Sequence, residues 1–278
     1  MSNLDYVTVA TEIAYEAGAL LEQYFEQRPA IEYKQEYDLV TAADRASEKL
    51  VVERLRSRFP SHSIIGEEGG GIDNNSEYVW YVDPLDGTTN FAHGYPVFAV
   101  SLGLLQNGEP IAGVVYDPIR KECFAAEKGS GAYLNNRRIH VTATEVMEKG
   151  IYGTGFPSPR RHTNVNVHFF HQISMLTHGS RRVGSAALDL CSVACGRLDG
   201  FWKFGLKSWD AAAGIILVAE AGGTYSDMHG GPYEIAGPTL AATNGKVHGQ
   251  MLELFGEIFQ GNYRVPLDPV STYLAGED

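Results

Sequence analysis

The chain has 278 residues, and 22 Lys and Arg against 34 Asp and Glu give it a formal net charge of −12. That length holds one large α/β unit or two closely packed halves. Hydrophobic residues at 44% and charged residues at 20% exclude a disordered chain, and the acidic excess argues against nucleic acid, whose phosphates need a basic footprint. An acidic protein that handles a small phosphate must find positive charge elsewhere.

The N-terminal stretch MSNLDYVTVATEIAYEAGALL has no basic leader, and its apolar residues are spaced. It reads as neither a signal peptide nor a membrane span. No other stretch approaches the roughly 18 apolar residues that cross a bilayer. Cys123, Cys191 and Cys195 are an odd number of cysteines without a secretory signal, which points to a reducing, cytoplasmic setting. Cys191 and Cys195 sit four apart on one helix face with no other soft ligand nearby, so they read as buried apolar cysteines.

Leu4, Val7, Ile13, Ala17, Leu20, Leu21, Tyr24 and Phe25 recur at helical spacing, which predicts a helix over about residues 3–27 with Pro29 beyond its end. A second helix is expected from about Asp44 to Phe59, closed by Pro60. Short β-type runs follow at 63–66, 78–82, 97–105, 111–116 and 122–126. Turn signals stand at Asn107-Gly108, Asp117-Pro118 and Asn135-Asn136, the last leading into Ile139-His140-Val141. Residues 164–178 and 185–196 read as helices, 200–206 as a strand and 210–221 as an Ala-rich helix stopped by Gly222-Gly223. Short strands at 224–225 and 240–242 precede a final helix over 247–258. A block of strands followed by interleaved helices and strands makes a layered mixed α/β protein. It reads as a single unit over 1–278; a subdomain boundary near residue 142 is allowed, though no composition shift marks one.

The informative stretch is Trp80-Tyr81-Val82-Asp83-Pro84-Leu85-Asp86-Gly87-Thr88-Thr89-Asn90-Phe91. A β-run is expected to end on Asp83, and Pro84 and Gly87 turn the chain sharply. Asp83, Asp86 and the Leu85 carbonyl can then point into one volume. Unpaired carboxylates repel there, and a hard cation such as Mg²⁺ relieves them. Gly87-Thr88-Thr89-Asn90 adds N–H groups and hydroxyls suited to an anion. A capped turn is the plainer alternative, because Asp, Gly, Thr and Asn all favour turns. Glu67 and Glu68 follow a short β-run, where a solvated loop is the alternative. Asp210 opens an apolar helix, where a simple N-cap is the alternative.

Together these residues resemble the inositol monophosphatase family of metal-dependent, lithium-sensitive phosphatases. Asp38-Leu39-Val40-Thr41-Ala42-Ala43-Asp44 resembles its first signature and Gly66-Glu67-Glu68 its second. Residues 80–91 resemble the third and most specific, and Trp209-Asp210 with Glu220-Ala221-Gly222-Gly223 the last. The resemblance covers nearly the whole chain. It implies a five-layered αβαβα sandwich, a homodimer, and two or three Mg²⁺ ions. It also implies that Glu67, Asp83 and the Leu85 carbonyl hold a first ion, and that Asp83, Asp86 and Asp210 hold a second. By the same resemblance Asp44 and Thr88, with Glu67, serve the attacking water. Gly87 and Thr88 N–H groups hold phosphate, and Lys34 stands near the metals.

The resemblance further places Gly184-Ser185-Ala186-Ala187 against the sugar ring, with Ala186 and Asp86 as substrate contacts. Seven residues before Asp210 the family carries a Glu for ring hydroxyls, whereas this chain has Lys203. An ammonium cannot accept a hydroxyl hydrogen bond; it can meet a second phosphate or a carboxylate, or it can point to solvent. His93, His162, His168 and His171 read as surface or supporting residues that this chemistry does not need, and Arg181-Arg182 as solvated charge, with the active-site mouth or a subunit interface as the alternative. The expected activity is hydrolysis of inositol monophosphate, a small phosphorylated polyol or sugar, by direct attack of water. The alternatives are a phosphatase for fructose 1,6-bisphosphate, histidinol phosphate or a nucleotide bisphosphate, and a non-catalytic regulatory protein of the same fold.

Overall fold

In a computed structural model, residues 5–27, 32–35, 38–156 and 164–267 are described. Helix α1 (Tyr6–Gln27) is followed by a hairpin of β1 (Glu32–Gln35) and β2 (Asp38–Val40) and then by α2 (Ala42–Arg58). Next come β3 (Ser63–Gly66), β4 (Tyr78–Asp86), the short α3 (Thr88–Ala92), β5 (Ala99–Gln106) and β6 (Glu109–Asp117). Strands β7 (Glu122–Glu127), β8 (Gly131–Leu134) and β9 (Arg137–Ile139) complete a seven-stranded sheet in the order β3-β4-β5-β6-β7-β8-β9.

The remainder interleaves β10 (Tyr152–Gly155), α4 (Asn166–Leu176), β11 (Ser180–Arg181), α5 (Ala186–Ala194), β12 (Gly200–Phe204) and α6 (Ser208–Glu220). It ends with β13 (Thr224–Ser226), β14 (Thr239–Thr243) and α7 (His248–Phe259). Its five-stranded sheet has the order β11-β10-β12-β14-β13.

Side-chain alternation divides the two sheets into five layers, because successive strand residues face opposite sides. On β5, Val100, Leu102 and Leu104 pack with Val9, Ile13, Leu21, Val51 and Leu55 of α1 and α2, while Ala99 faces the middle layer. On β12, Phe201 joins the middle cluster around α5 and α6, and Trp202 joins an outer cluster with Phe169, Met251 and Phe255 of α4 and α7. The order is therefore helices, seven-stranded sheet, helices, five-stranded sheet, helices, the αβαβα sandwich that the resemblance implies. Among the described residues, no helix is long and apolar enough to cross a membrane.

One packing contact positions the site. A Cβ on Gly103 of β5 would stand 2.6 Å from the backbone of Ala212, and one on Gly113 of β6 would stand 2.7 Å from the Ala213 carbonyl oxygen. Real Cβ atoms do not approach that closely. Two glycines and the run Ala211-Ala212-Ala213 thus let α6 lie directly on the seven-stranded sheet, and its first turn reaches the end of β4.

Most expected elements are present, and their ends move by one to three residues. The β1–β2 hairpin, α3 and the short β8, β10 and β11 carry no strong periodicity of their own, and the sequence reading does not name them. The 78–82 run does not end on Asp83. Strand β4 continues to Asp86 through a bulge, so the expected sharp turn falls at Gly87 instead.

Candidate active site

Asp83 and Asp86 lie on either side of that bulge. Asp83 pairs with Ser101 and Asp86 with Ala99, so three steps on β4 oppose two on β5. The extra residue re-aims the side chains, and Pro84 is tolerated there because a bulged position needs no ladder N–H. The Pro84 carbonyl accepts a 2.8 Å hydrogen bond from Ser47 Oγ of α2, which ties the bulge to the outer helix layer. The Leu85 N–H donates to Asp83 Oδ1 at 3.1 Å. Both carboxylates are buried, Asp83 at 2% exposure and Asp86 at 8%.

Asp86 is held from the opposite side. Its Oδ2 accepts from Ser185 Oγ at 2.5 Å and from the Ala187 N–H at 2.7 Å, at the N-terminus of α5. A carboxylate is favoured there by the helix dipole. Asp210 comes from the first turn of α6, where its Oδ2 accepts the Lys207 N–H at 2.9 Å. Asp83, Asp86 and Asp210 each bring a ligand oxygen to within 4.8 Å of the others.

These charges are poorly compensated by the chain itself. Burial pushes the Asp83 carboxyl well above the ordinary carboxylate range, and the charges of Glu67, Asp86 and Asp210 push it further. Burial also raises Asp86, with Asp210 adding to it; the Ser185 hydrogen bond, Lys203 and the Ala187 N–H oppose the rise. A set of buried oxygen ligands with like charges this close is the environment a hard divalent cation neutralises. The residues present therefore fit Mg²⁺.

Asp44 and Thr88 form the adjoining pair. Thr88 Oγ1 lies 3.0 Å from Asp44 Oδ1 and 3.0 Å from the Leu85 carbonyl oxygen. Asp44 Oδ2 accepts from the Thr41 N–H at 2.7 Å and the Thr41 hydroxyl at 2.6 Å, while the same hydroxyl accepts the Ala43 N–H. This reciprocal cap fixes Asp44 at the start of α2. Burial raises its carboxyl, outweighing the hydrogen bonds from Thr41 and Thr88. Gly87, between Asp86 and Thr88, has φ +100, and a Cβ there would stand 2.9 Å from the Val97 carbonyl oxygen. Only glycine meets both conditions.

Glu67 is close enough to raise the Asp83 carboxyl, so it belongs to the cluster and is not a detached solvated acid. Its loop is held by Glu48, whose carboxylate accepts the Glu68 and Gly70 N–H groups at 2.7 Å each. A Cβ on Gly66 or Gly70 would reach within 2.7 Å of that carboxylate, so both glycines make room for it. Lys203 does not point into open solvent. Its Nζ lies 4.0 Å from Asp210 Oδ2, with the side chain 20% exposed.

Tertiary structure thus gathers Glu67, Asp83, Asp86 and Asp210 at one place, with the Asp44–Thr88 pair and Lys203 beside them. Ala186 adjoins them, but its methyl packs into the middle core. Lys34 falls on β1, where side chains lie outside the described residues, as does His162. His93, His168, Arg181 and Arg182 are exposed. Cys191 is buried and Cys195 half-buried, both unbridged.

Sequence reasoning missed Ser47, Glu48 and Asp189, and it missed Ser185 as a partner of Asp86. Their signals were slight: an acid inside the polar helix α2, and a lone Asp inside the apolar run AALDLC. Asp189 is buried, which pushes its carboxyl well up, with the charge of Asp86 adding to the rise and Lys203 and Arg182 opposing it.

The sequence profile of the inositol monophosphatase family matches residues 3–260. The inositol-1-monophosphatase of Synechocystis sp. is 44% identical over 249 residues, 88% of this chain and 87% of that protein. A protein of Aquifex aeolicus named fructose-1,6-bisphosphatase/inositol-1-monophosphatase is 39% identical over 258 residues, covering 91% of this chain and 97% of its own. The solved structure of an inositol monophosphatase from Anabaena (Nostoc) sp. superposes with a TM-score of 0.83 at 44% identity, covering 96% of this chain and 98% of that one. Profile, relatives and architecture agree with one another: the chain belongs to the inositol monophosphatase family and is a phosphatase.

Proposed function

We propose that the chain is a Mg²⁺-dependent phosphomonoesterase that releases phosphate from small phosphorylated polyols, with myo-inositol-1-phosphate as a substrate. The observation that carries this reading is the convergence of Asp83, Asp86 and Asp210 within 4.8 Å in buried surroundings. In this reading Glu67, Asp83, the Leu85 carbonyl, Asp86 and Asp210 hold the ions, and Asp83 is shared. When bound, Mg²⁺ supplies the positive charge that the chain lacks, screening the phosphate oxygens and lowering the pKa of adjacent water.

The chain's own residues do the positioning. Thr88 spends its hydroxyl proton on Asp44 or the Leu85 carbonyl, so its oxygen lone pairs are left to accept from a water. Asp44, fixed by Thr41, keeps that hydroxyl oriented, and the pair aims the water at phosphorus. Glu67 faces the same volume as a second acceptor. The Gly87 and Thr88 N–H groups hold the phosphate, and Ser185 and Ala187 fix the Asp86 carboxylate. No covalent phospho-enzyme is involved, since water is the nucleophile.

A second reading, a broader phosphatase that also accepts a sugar bisphosphate, is favoured by Lys203 at the rim and by the double name of the Aquifex relative. The test of the first is phosphate release from myo-inositol-1-phosphate with and without Mg²⁺, in wild type and Asp86→Asn. Unchanged Mg²⁺-dependent turnover in Asp86→Asn would sink the assignment.

A further inference from the structure

Lys203 stands in a place where a lysine needs an explanation. It lies on β12, paired with Gly155 of β10 and Leu240 of β14. It shares the strand face of Phe201, which is buried in the middle layer. A Cβ on Gly155 would come within 3.0 Å of Lys203 Cδ and Cε. The neighbouring strand therefore leaves a groove for the lysine stem.

Three acids lie near the ammonium it delivers, Asp86, Asp210 and buried Asp189, and the first two are already engaged elsewhere. Asp86 Oδ2 is taken by Ser185 and Ala187, and Asp210 Oδ2 by the Lys207 N–H. At 4.0 Å the pair with Asp210 is too long for a hydrogen bond. None of the three ammonium donors is spent on that carboxylate. Once divalent cations neutralise the cluster, as the proposed reading requires, the remaining acid near Lys203 is buried Asp189, whose carboxyl is pushed well up by burial, so the ammonium stands without a hydrogen-bonded anion. Burial makes such a state costly unless an anion arrives.

The position also lies on the way out. Exposure rises from Asp83 at 2% to the side chains of Asp210 and Lys203 at 17% and 20%. An alcohol leaving on this side of a phosphate seated over Asp83 and Asp86 would meet Lys203.

Resting on the proposed phosphatase reading, we infer that Lys203 is a specificity-determining residue that binds a second anionic group on the leaving alcohol. The favoured substrates are phosphate esters whose alcohol carries a further phosphate or a carboxylate. Neutral polyol phosphates are turned over without this contact.

The experiment compares matched pairs in Mg²⁺: a hexitol monophosphate against its bisphosphate, and glycerol 2-phosphate against 2-phosphoglycerate. In Lys203→Met, kcat/KM for the doubly anionic member should fall by about 10- to 100-fold, the loss of one charge-assisted hydrogen bond. The ratio of the two kcat/KM values should move by that factor even where the neutral member also loses rate, and Lys203→Arg should restore most of the preference. In parallel, thermal shifts with each ester report binding without turnover, and wild type should be stabilised more by the doubly anionic member. Equal losses for both members, or an unchanged ratio, would overturn the proposal and make Lys203 a structural partner of Asp189 or Asp210. Absence of phosphate release from every ester would instead defeat the phosphatase reading, and the thermal shifts alone would then decide Lys203.

Discussion

The floor of the site and its wall are built differently. Asp83 and Asp86, the floor, come from four consecutive residues of one bulged strand, and both are buried and held by close hydrogen bonds. Asp210 and Lys203, the wall, come from α6 and β12. They are more exposed, and they arrive only because α6 lies against Gly103 and Gly113. A compact motif can specify a floor by local geometry. The wall depends on how two sheets and the helices between them stack, so it can be displaced without touching a carboxylate.

Four measurements press on that contrast. The largest effect is expected at the floor. Asp83→Asn should lower Mg²⁺-dependent phosphate release by at least about 100-fold, since the residue most surrounded by like charge is the one a cation serves most. The same variant should melt higher than wild type without divalent ions, because one repelling charge is gone. Little Mg²⁺-induced rise in Tm should remain.

Gly113→Val attacks the wall from a distance. The added side chain must displace α6 or strain β6, at about 1–3 kcal/mol of stability. Phosphate release should fall further than that loss explains, because Asp210 and Lys203 move together. Activity that stays normal in a folded Gly113→Val protein would mean that the close approach of α6 does not position the wall.

A smaller effect is expected for Ser185→Ala. It removes one of two donors to Asp86 Oδ2 and should weaken apparent Mg²⁺ affinity by about 10-fold with the fold intact, read as the Mg²⁺ concentration at half-maximal rate.

The smallest effect is on pH dependence. Asp83 and Asp86 have folded pKa values raised above the carboxylate value of 3.8. The folded chain then binds protons more tightly than the unfolded one. Without divalent ions, stability from these groups is greatest below the unfolded pKa and is lost as pH rises through the folded values. Buried His62 and His248, with lowered pKa values, act in the opposite sense below 6.5. The difference in Tm between wild type and Asp83→Asn isolates the cluster. It should widen as pH rises above the unfolded carboxylate value and through the raised folded values, and close when Mg²⁺ is added.

Much of the floor was legible in the chain. Asp-Pro-Leu-Asp-Gly at the end of a β-run predicts two convergent carboxylates, and the structure differs only in continuing the strand through a bulge to Asp86 before the turn at Gly87. The outer helices and long strands were legible too, because apolar residues recur at 3.6 and 2 along them. Less was visible of the supports. Glu48 looks like an ordinary charge on a polar helix, yet it is buried and holds the Glu67 loop through two backbone N–H groups. Ser185 reads as a helix cap, which it is, but its hydroxyl also donates to a carboxylate 99 residues away. Such partners carry no local period, since the chain that separates them folds independently of the contact.

The amino-acid sequence by itself determined the acidic residues of the site, the glycine after them, the layered class of the fold and its family, because each rests on residue type at short spacing. Only the tertiary structure decided that Asp210 and Lys203 face Asp83 and Asp86, and that the ammonium stands at the rim instead of in solvent. The physical reason is close packing. Side chains on separate sheets meet only where glycine and alanine let a helix approach, and that distance is set by the whole stack of layers rather than by any one segment.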